Sequence, residues 1–281
     1  MICLSDWLNS ITYANSCGVC QLHIAHPICH MMARFTNSCL KKWESQDQIK
    51  KILEQDLNIM TKHIVDLSVP FHKGMPKYEA PWFPEFDFEE VKPASMPEAQ
   101  WKRRFTSLKL FAHNGTHVET SDHVFSDGKT IDSYELEQFF GKPFIVDLQH
   151  VPDSHAITGE QMSEALAGYD PNVYSIVLVN TGYNDRHWGE EGFWGNSPYM
   201  TQEAAQEIAN LKPQFVGIDF QTEKPGEKNF VVHKTLLSSC NLLCEYLFNL
   251  GSISDKAWFF ALPISIKNVE ASPVRAVAIE F

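Results

Sequence analysis

The segment from His113 to His123 places three histidines and one glutamate within eleven residues, in the order His113-Asn-Gly-Thr-His117-Val-Glu119-Thr-Ser-Asp-His123. The Asn-Gly pair is a turn signal, and three residues of the segment are β-branched, so an extended or turning strand is favoured over a helix. Alternate residues of an extended chain share a face, and the three histidines and the glutamate all have odd numbers. We therefore expect one face of this segment to carry a set of metal ligands.

Imidazole nitrogens together with a carboxylate oxygen suit zinc, manganese or ferrous iron. An ion with open coordination positions binds water and lowers the pKa of that water towards neutrality. The alternative for an isolated histidine pair is a surface loop that binds nothing. Four potential ligands directly after an apolar strand favour the metal site, and the remaining ligands must then lie far away in the sequence.

From Ile64 onward, short apolar runs alternate with helical patterns, which is typical of a mixed α/β domain. The predicted strands are Ile64–Val69, Phe105–Ala112, Phe144–Leu148, Ser175–Asn180, Phe215–Asp219, Ala257–Leu262 and Val274–Phe281. The predicted helices are Ser133–Phe140, Thr158–Ala167 and Thr201–Leu211. Thr158 and Gln161 have the spacing of a capping box, which marks the start of the second of these helices.

The composition is that of an ordinary globular protein with a strongly acidic surface. The 281 residues include 23 Lys or Arg and 35 Asp or Glu, for a formal net charge of −12. A surface of this charge repels phosphate backbones and anionic lipid, so nucleic acid and membrane partners are not expected. The seven cysteines are an odd number in a chain too large to need a disulfide framework, which favours a reducing cytoplasm.

The first part of the chain is predicted to be a separate extension. Residues 1–62 form this N-terminal extension, and residues 63–281 form one domain of the usual size for a catalytic domain. Asn37–Lys62 carries apolar residues close to the spacing of an amphipathic helix. The earlier run from Cys17 to His30 contains cysteines and histidines, but its spacing matches no standard zinc module, so an irregular extension is favoured over a structural metal site.

The histidine-rich segment resembles the signature His-x-Gly-Thr-His-x-Asp-x-Pro-x-His of the metal-dependent cyclase-like hydrolases. This family includes bacterial kynurenine formamidase, isatin hydrolase and a zinc-dependent dienelactone hydrolase. Other segments resemble the opening, central and closing strands of the family, and they are Val65-Asp-Leu-Ser-Val-Pro with Gly74-Met-Pro, Val216-Gly-Ile-Asp219, Ala261-Leu-Pro263 and Ser272-Pro-Val-Arg-Ala-Val-Ala278. The resemblance covers about Ile64 to Phe281. It implies an α/β fold with a mixed β-sheet and flanking helices, in the form of a swivelling β/β/α cyclase-like domain. In this chain a partly helical N-terminal extension is expected before that domain.

The resemblance also implies five metal ligands and one catalytic histidine. The implied ligands are His113, His117, Glu119, His233 and Glu245. His123 matches the family's catalytic histidine, which shuttles a proton between the attacking water and the leaving group. Because positions twelve apart on a continuous helix point about 120° away from each other, His233 and Glu245 do not share a helical face. Ser238–Asn241 is therefore expected to turn the chain, and Leu242–Glu245 to return as a strand.

Two positions depart from the family signature, whose Asp is Glu119 here and whose Pro is Ser121. One extra methylene can move a bridging carboxylate by roughly an ångström. This change leaves open whether the site holds one divalent ion or two, and whether the ion is zinc, which we expect first, or manganese. A degenerate, inactive homologue is the alternative, although the other implied ligands and His123 are intact.

The residues and the resemblance together predict a metal-dependent hydrolase of an amide or cyclic amide that acts on a small-molecule substrate. Arylformamides such as N-formylkynurenine are the leading substrates by resemblance. The alternatives are a lactone or ester hydrolase of the same family and a catalytically impaired metal-binding protein. We expect a homodimer or homotetramer. The sequence contains no dinucleotide-binding, P-loop or serine-hydrolase motif.

Six aromatic residues in predicted loops are candidates for the walls of an aromatic substrate pocket, although core packing is the favoured interpretation for any single one of them. They are Trp82, Phe83, Phe86, Trp188, Phe193 and Trp194. Asp219 lies at the end of a predicted strand, where both an orienting role and direct chemistry are open to it. It is therefore not counted among the site residues.

Overall fold

The computed structural model describes residues 63–92, 103–239 and 242–281. In this part of the chain, a six-stranded sheet lies between a layer of helices and a four-stranded sheet. This three-layer arrangement confirms the predicted mixed α/β fold. The N-terminal extension, its Asn37–Lys62 helix and the run from Cys17 to His30 lie outside the described residues, so the division between residues 62 and 63 stays a prediction.

The described elements are short. The strands are β1 His63–Asp66, β2 Asp87–Glu90, β3 Thr106–Lys109, β4 His117–Glu119, β5 Phe140–Gly141, β6 Pro143–Asp147, β7 Ala156–Ile157, β8 Ile176–Asn180, β9 Tyr199–Met200, β10 Phe215–Ile218, β11 Leu242–Glu245, β12 Ala257–Phe260, β13 Ala271–Pro273 and β14 Val277–Glu280. The α-helices are α1 Gly159–Ala165, α2 Tyr183–His187, α3 Phe193–Asn196, α4 Gln202–Leu211 and α5 Val231–Ser239. The 3₁₀ turns are Ser121–His123, Ile131–Ser133, Leu136–Phe139 and Leu250–Ser252. Within the described ranges, no helix has the length and apolar character needed to cross a membrane.

The six-stranded sheet has the order β13-β4-β11-β10-β8-β6 and combines two modes of pairing. β4 pairs antiparallel with both β13 and β11, whereas β11, β10, β8 and β6 run parallel to one another. β8 has the sequence Ile-Val-Leu-Val-Asn and is buried along its whole length. A fully buried apolar run is expected for a parallel strand that is covered on both faces.

Alternate residues of β8 enter two hydrophobic cores on opposite faces of this sheet. Val177 and Val179 pack in the core that the sheet forms with α1, α4 and α5. Ile176 and Leu178 pack in the second core, which includes Phe259 of β12. Burial on both sides fixes the position of the sheet between the helices and the second sheet.

The four-stranded sheet has the order β1-β14-β12-β5, and its three strand pairs are antiparallel. Ala278 of β14 lies between Val65 of β1 and Phe259 of β12. The last strand of the chain is thus paired with the first described strand. The predicted strand Val274–Phe281 is observed in its second half as β14, and β13 precedes it.

Helices α1 and α4 begin where their capping residues predict. The hydroxyl of Thr158 accepts from the N–H of Gln161 at 3.3 Å, and the side chain of Gln161 accepts from the N–H of Thr158 at 3.0 Å. These two bonds are the predicted capping box and satisfy N–H groups that the first turn of a helix leaves free. The hydroxyl of Thr201 caps α4 by one such bond, accepting from the N–H of Ala204 at 3.2 Å.

The predicted helix Ser133–Phe140 is wrong. The chain makes two 3₁₀ turns in this region, and Phe140 then enters β5, where it pairs with Phe260 of β12. Phe139 is buried in the core between the two sheets. Pairing with a distant strand and burial of this ring override the local helical pattern.

The predicted strand Phe105–Ala112 is shorter in the structure and lies outside the main sheets. Only Thr106–Lys109 is a strand, and it pairs with Asp87–Glu90 in a two-stranded ribbon. All eight residues of this ribbon are exposed. The ribbon follows Trp82 and Phe83 in the chain and precedes Phe111, so its base adjoins the cavity described below.

Candidate metal centre

The segment His113–His123 does not form one extended face as predicted. Only His117–Glu119 is a strand, a turn precedes it, and the 3₁₀ turn Ser121–His123 follows it. Gly115 in the first turn has φ +56°, in the left-handed region, and a Cβ there would lie 2.9 Å from the side chain of Val69. The chain bends around the site, and these bends bring the three histidines and the glutamate together.

The register of β4 and β11 places Glu245 directly opposite His117. Leu243 lies opposite Glu119 in the same pair of strands. Since residues two apart share a face of a strand, His117 and Glu119 point to the same side as Glu245. Oε2 of Glu245 lies 3.6 Å from Nε2 of His117. Cross-strand pairing therefore joins a distant carboxylate to the histidine-rich segment.

Thr116 fixes this segment to two neighbouring parts of the chain. Its hydroxyl donates to the carbonyl of Tyr246 at 2.7 Å and accepts from the backbone N–H of Val69 at 3.0 Å. Thr116 is completely buried, so both hydrogen bonds are shielded from water. The strand that carries His117 is thereby held against the end of β11.

His113, His117 and Glu119 form the most closely spaced part of the cluster. Oε1 of Glu119 lies 2.7 Å from Nδ1 of His113 and 3.0 Å from Nε2 of His117. The two nitrogens are 3.2 Å apart. These are hydrogen-bond distances, so the three ligand atoms already lie together at one point where a small outward shift would admit a shared ion.

His233 and Glu245 complete the five implied ligands from distant parts of the chain. His233 is on α5 and Glu245 ends β11, and the predicted turn between them includes two residues outside the described ranges. Nε2 of His233 lies 3.4 Å from Oε2 of Glu119 and 3.5 Å from Oε1 of Glu245. Glu119 therefore presents one oxygen to His113 and His117 and the other to His233, which suits one ion or two.

Each of the three implied ligand histidines has its second ring nitrogen next to an acceptor outside the cluster. Nδ1 of His117 donates to a backbone carbonyl two residues earlier, at 2.8 Å. Nε2 of His113 lies 2.9 Å from a carboxylate oxygen of Glu270, and Nδ1 of His233 lies 2.9 Å from one of Glu223. Contacts of this kind fix the tautomer and the ring direction of metal-binding histidines.

Sequence reasoning did not find Glu223, Glu270 or Thr222. The N–H and the hydroxyl of Thr120 both donate to the carbonyl of Glu270 at 2.9 Å. Thr222 donates its hydroxyl to the carboxylate of Glu245. No spacing rule links these residues to the histidine-rich segment, because the proximity of Glu270 arises from the pairing of β13 with β4. Its place two residues before the closing segment that begins at Ser272 is the one signal that could have found it.

His123 stands at the edge of the cluster. Its Nε2 is 3.9 Å from Oε1 of Glu119, and its ring centre is 4.6 Å from that of His113. Its side chain is 21% exposed, so it can reach a molecule in the neighbouring cavity. A Cβ on Gly128 would lie 2.2 Å from the backbone nitrogen of Asp122, so glycine is required for this loop to pack against the turn that carries His123.

Opposite charges stabilise the cluster. Burial lowers the pKa of His113, but the hydrogen bonds and negative charges of Glu119 and Glu270 outweigh it and raise the pKa to about 10. Burial also opposes protonation of His233, and the neighbouring glutamates again raise its pKa. Burial lowers the pKa of His123, and the positive charges of His113 and His233 lower it further, against the effect of Glu119. The site therefore favours positive charge between the glutamates and disfavours it on His123.

A divalent cation fits this set of residues. Oε2 of Glu119 is buried and accepts no hydrogen bond from the described part of the chain. A buried carboxylate oxygen that accepts no hydrogen bond costs free energy, which a cation would offset. Three overlapping groups each offer ligand atoms within 4.8 Å of one another: His113 with His117 and Glu119, Glu119 with His123 and His233, and His113 with His123 and Glu270. Imidazole nitrogens and carboxylate oxygens are ligands that zinc and manganese accept.

The cluster lies in the wall of a cavity of about 530 Å³. Much of the rest of the lining is aromatic, from Tyr78, Trp82, Phe83, Phe111, Trp194, Phe230 and Tyr246. The rings of Phe83 and Phe111 pack edge to face with their centres 4.8 Å apart. A cavity with these walls favours a planar apolar group next to the cluster.

Three of the six predicted wall residues are in this lining, and three are not. Trp82, Phe83 and Trp194 line the cavity. Phe86 is instead buried in a small core with Val69 and Met75, and Phe193 is buried in the core on the helix side of the main sheet. Trp188 packs against both cores. For these three rings the favoured interpretation of core packing holds, because burial against apolar neighbours removes them from water.

Gln221 lines the cavity, and sequence reasoning did not single it out. It is 8% exposed, and its side-chain amide lies next to the phenol of Tyr246, although Nε2 makes no hydrogen bond of good geometry among the described residues. Its backbone N–H donates to the hydroxyl of Ser197 at 2.9 Å, which fixes the residue in place. A buried amide donor next to the cluster is suited to an oxygen of a bound molecule.

Asp219 lies outside the cluster and orders a turn of the chain. Its carboxylate accepts from the N–H and the hydroxyl of Thr181 at 2.9 and 2.8 Å and from the N–H of Gly182 at 2.6 Å. This turn leads from β8 into α2. Burial raises the pKa of Asp219 to about 7, although the hydrogen bonds from Thr181 and Gly182 oppose the shift. Of the two roles open to it, the contacts favour orienting the backbone.

The fold and the cluster together define an α/β protein with a candidate divalent-metal centre in an aromatic cavity. Residues 65–223 match the family model named Cyclase, described as "Putative cyclase", which covers more than half of the chain. The chain therefore belongs to the cyclase family.

Several proteins are similar to this chain over most of their own length. Cyclase-like protein 3 of Oryza sativa subsp. japonica is 26% identical over 231 residues, which cover 77% of this chain and 80% of that protein. Kynurenine formamidase of Bacillus cereus is 21% identical over 221 residues, which cover 77% of this chain and 97% of that protein. Isatin hydrolase A of Labrenzia aggregata has the same fold, with a TM-score of 0.67, 21% identity and coverage of 83% of this chain and 99% of that chain. The predicted resemblance and fold are confirmed.

Proposed function

We propose that the protein is a metal-dependent hydrolase that cleaves the carbon–nitrogen bond of an amide or cyclic amide. The observation that carries the proposal is the cluster of three histidines and two glutamates in the wall of an aromatic cavity. The names of two similar proteins, kynurenine formamidase and isatin hydrolase, support a substrate in which the amide nitrogen is attached to an aromatic ring. Arylformamides such as N-formylkynurenine are therefore the leading substrate class.

Five side chains hold the ion in this proposal, with zinc expected first and manganese as the alternative. They are His113, His117, Glu119, His233 and Glu245. When bound, such an ion polarises a carbonyl oxygen and lowers the pKa of a water molecule. The contacts of Glu270 and Glu223 keep two of the imidazoles in the direction and tautomer that ligation needs.

His123 moves the proton in the proposed reaction. It is close enough to the cluster to accept a proton from the attacking water, and exposed enough to the cavity to deliver that proton to the leaving nitrogen. Nε2 of Gln221, whose amide lies next to the phenol of Tyr246, donates a hydrogen bond to the substrate oxygen on which negative charge develops. These two residues act at different atoms of the same amide group.

The aromatic walls bind the ring of the substrate and exclude water from its surroundings. Phe83 and Phe111 offer apolar surface, and the nearby Trp82 is 70% exposed, so it lies towards solvent. Burying an aromatic ring against such walls contributes favourable free energy and orients its attached amide group. An aliphatic amide of the same length would gain less from this cavity.

The test is metal analysis followed by a hydrolysis screen. Purified protein should contain one or two equivalents of zinc or manganese per chain, and removal of the metal with a chelator should abolish hydrolysis until metal is returned. The screen compares arylformamides, isatin-like rings, and lactones or esters. Turnover of an aryl amide or cyclic amide well above that of the lactones and esters is the expected result.

His187→Ala is a matched control, because His187 pairs with Asp153 and Glu190 outside the cavity. This variant should keep both metal and activity, whereas His117→Ala should lose both. Faster turnover of lactones or esters than of amides would replace the amide assignment with the ester assignment. A protein that binds metal but hydrolyses none of the three classes would contradict the proposed function.

A further inference from the structure

Two cavities meet at His123. The second is an open cavity of about 340 Å³ on the side of Val124, Phe125 and Lys234. Among the described residues, only His123 and Phe230 line both this cavity and the aromatic cavity of about 530 Å³. The ring of Phe230 therefore lies where the two spaces adjoin, next to the histidine that moves the proton in the proposed reaction.

Phe230 is held at this junction by its neighbours in the chain. Its ring meets those of His123 and His233 edge to face, with centres 5.8 and 5.5 Å apart. Its φ of +52° is in the left-handed region, which is uncommon for an aromatic residue and costs free energy. Its carbonyl accepts from the N–H of Lys234 at 2.9 Å as α5 begins. A strained backbone at such a place indicates that the side chain has a role there.

We propose that Phe230 is a specificity-determining residue that limits the size of the leaving group by closing the aromatic cavity beside His123. The inference rests on the proposed hydrolysis, in which His123 delivers a proton to the leaving nitrogen. A group attached to that nitrogen must lie beside His123, and so beside the ring of Phe230. Replacing this ring by a smaller side chain joins the two cavities and makes room for a bulkier leaving group.

The experiment compares formanilide with formanilide that carries a para tert-butyl group. In the metal-loaded parent, the bulky compound should be the poorer substrate by kcat/KM. In Phe230→Leu, the ratio of kcat/KM for the bulky over the plain compound should rise at least about tenfold, as expected when steric exclusion from an apolar pocket is relieved. Phe230→Asn provides a second variant, because asparagine tolerates the left-handed backbone better than most residues.

Trp82→Leu is the matched control, because Trp82 lines the aromatic cavity but not the second one. Loss of this indole should lower kcat/KM for both substrates by a similar factor and leave their ratio unchanged. Metal content and thermal unfolding of every variant are measured alongside. A Phe230 variant that keeps its metal and its fold, yet shows the parental ratio, would overturn the proposal.

Binding of the two product amines tests the size limit set by Phe230 independently of hydrolysis. The affinities of aniline and para-tert-butylaniline for the metal-loaded parent and the Phe230 variants are measured by calorimetry, which needs no turnover. A selective gain for the bulky amine in the Phe230 variants supports the size limit even if formanilide is not hydrolysed. An unchanged affinity ratio in a parent that does hydrolyse formanilide rejects the role of Phe230 alone.

Discussion

A carboxylate oxygen of Glu270 lies 2.9 Å from Nε2 of His113, while Nδ1 of the same ring lies 2.7 Å from Glu119. Thr120 donates two hydrogen bonds to the backbone carbonyl of Glu270, which fixes it beside the strand that carries Glu119. The ring of His113 is thus held between two glutamates from distant parts of the chain. Its direction towards the cluster depends on both of them.

Replacing Glu270 should weaken metal binding more than it affects the fold. Glu270→Gln keeps the shape of the side chain but removes the negative charge next to His113, so we expect an affinity for zinc about 10–100-fold lower. The measurement is competition with a chelator of known affinity. Glu164→Gln, at an exposed position on α1, is the control and should bind zinc like the parent. Parental affinity in Glu270→Gln would show that this carboxylate does not support the ligand.

Replacing His123 should impair proton transfer, whereas replacing His117 should impair metal binding. His123→Ala should retain metal and lose about 10²–10⁴-fold in kcat, the usual contribution of a positioned acid or base. His117→Ala should lose the metal itself, because His117 lies at the centre of the cluster. Metal content by elemental analysis and initial rates on the same substrate check both. Equal loss of metal from the two variants would contradict this division of roles.

Glu119 should be intolerant even of the family residue aspartate. Its two oxygens face different partners, 2.7 Å from His113 and 3.4 Å from His233, so a side chain shorter by one methylene cannot keep both contacts without movement of the backbone. We expect Glu119→Asp to weaken metal binding about tenfold or more, and Glu119→Gln, which removes the charge, to weaken it further. Metal titration and initial rates compare the variants. If both bind metal like the parent, Glu119 is not a ligand.

Gln221 should contribute to turnover and not to metal binding. Its Nε2 is a buried donor that makes no hydrogen bond of good geometry in the described part of the chain, whereas its backbone is held by Ser197. Gln221→Leu removes the donor at similar volume, and we expect kcat/KM to fall at least about tenfold, towards the 10²–10³-fold loss seen when a donor to a developing negative charge is removed. Metal content should stay parental. An unchanged kcat/KM would exclude a contact between this amide and the reacting oxygen.

Asp219 should make the stability of the protein depend on pH. Because its pKa in the folded state is about 7, above the ordinary value of 3.8, the folded state binds this proton more tightly than the unfolded state does. The corresponding contribution to stability is fully present below about pH 4 and is lost as the pH rises to about 7. The free energy of unfolding of the parent minus that of Asp219→Asn should therefore fall between pH 4 and 7 and level off above. A difference that is constant over this range would show that the pKa of Asp219 is not raised.

The local sequence predicted much of the cluster, because short-range geometry governs part of it. His117 and Glu119 are two apart on a strand and must share a face, and the Asn-Gly pair before them predicted the turn. The resemblance named His233 and Glu245, which the structure brings within 3.6 Å of partners in that segment. The capping box of Thr158 was also predictable, since its two partners are three residues apart.

The tertiary structure alone decided which groups support and surround the cluster. Glu270 is 157 residues from His113 in the chain, and the pairing of β13 with β4 brings them together. Phe230 lies between two cavities that several separate loops enclose. The predicted helix Ser133–Phe140 was wrong for the same reason, because a distant strand pairs with Phe140. Side-chain type and local spacing do not predict such long-range pairing, because it depends on the burial and register of the whole sheet.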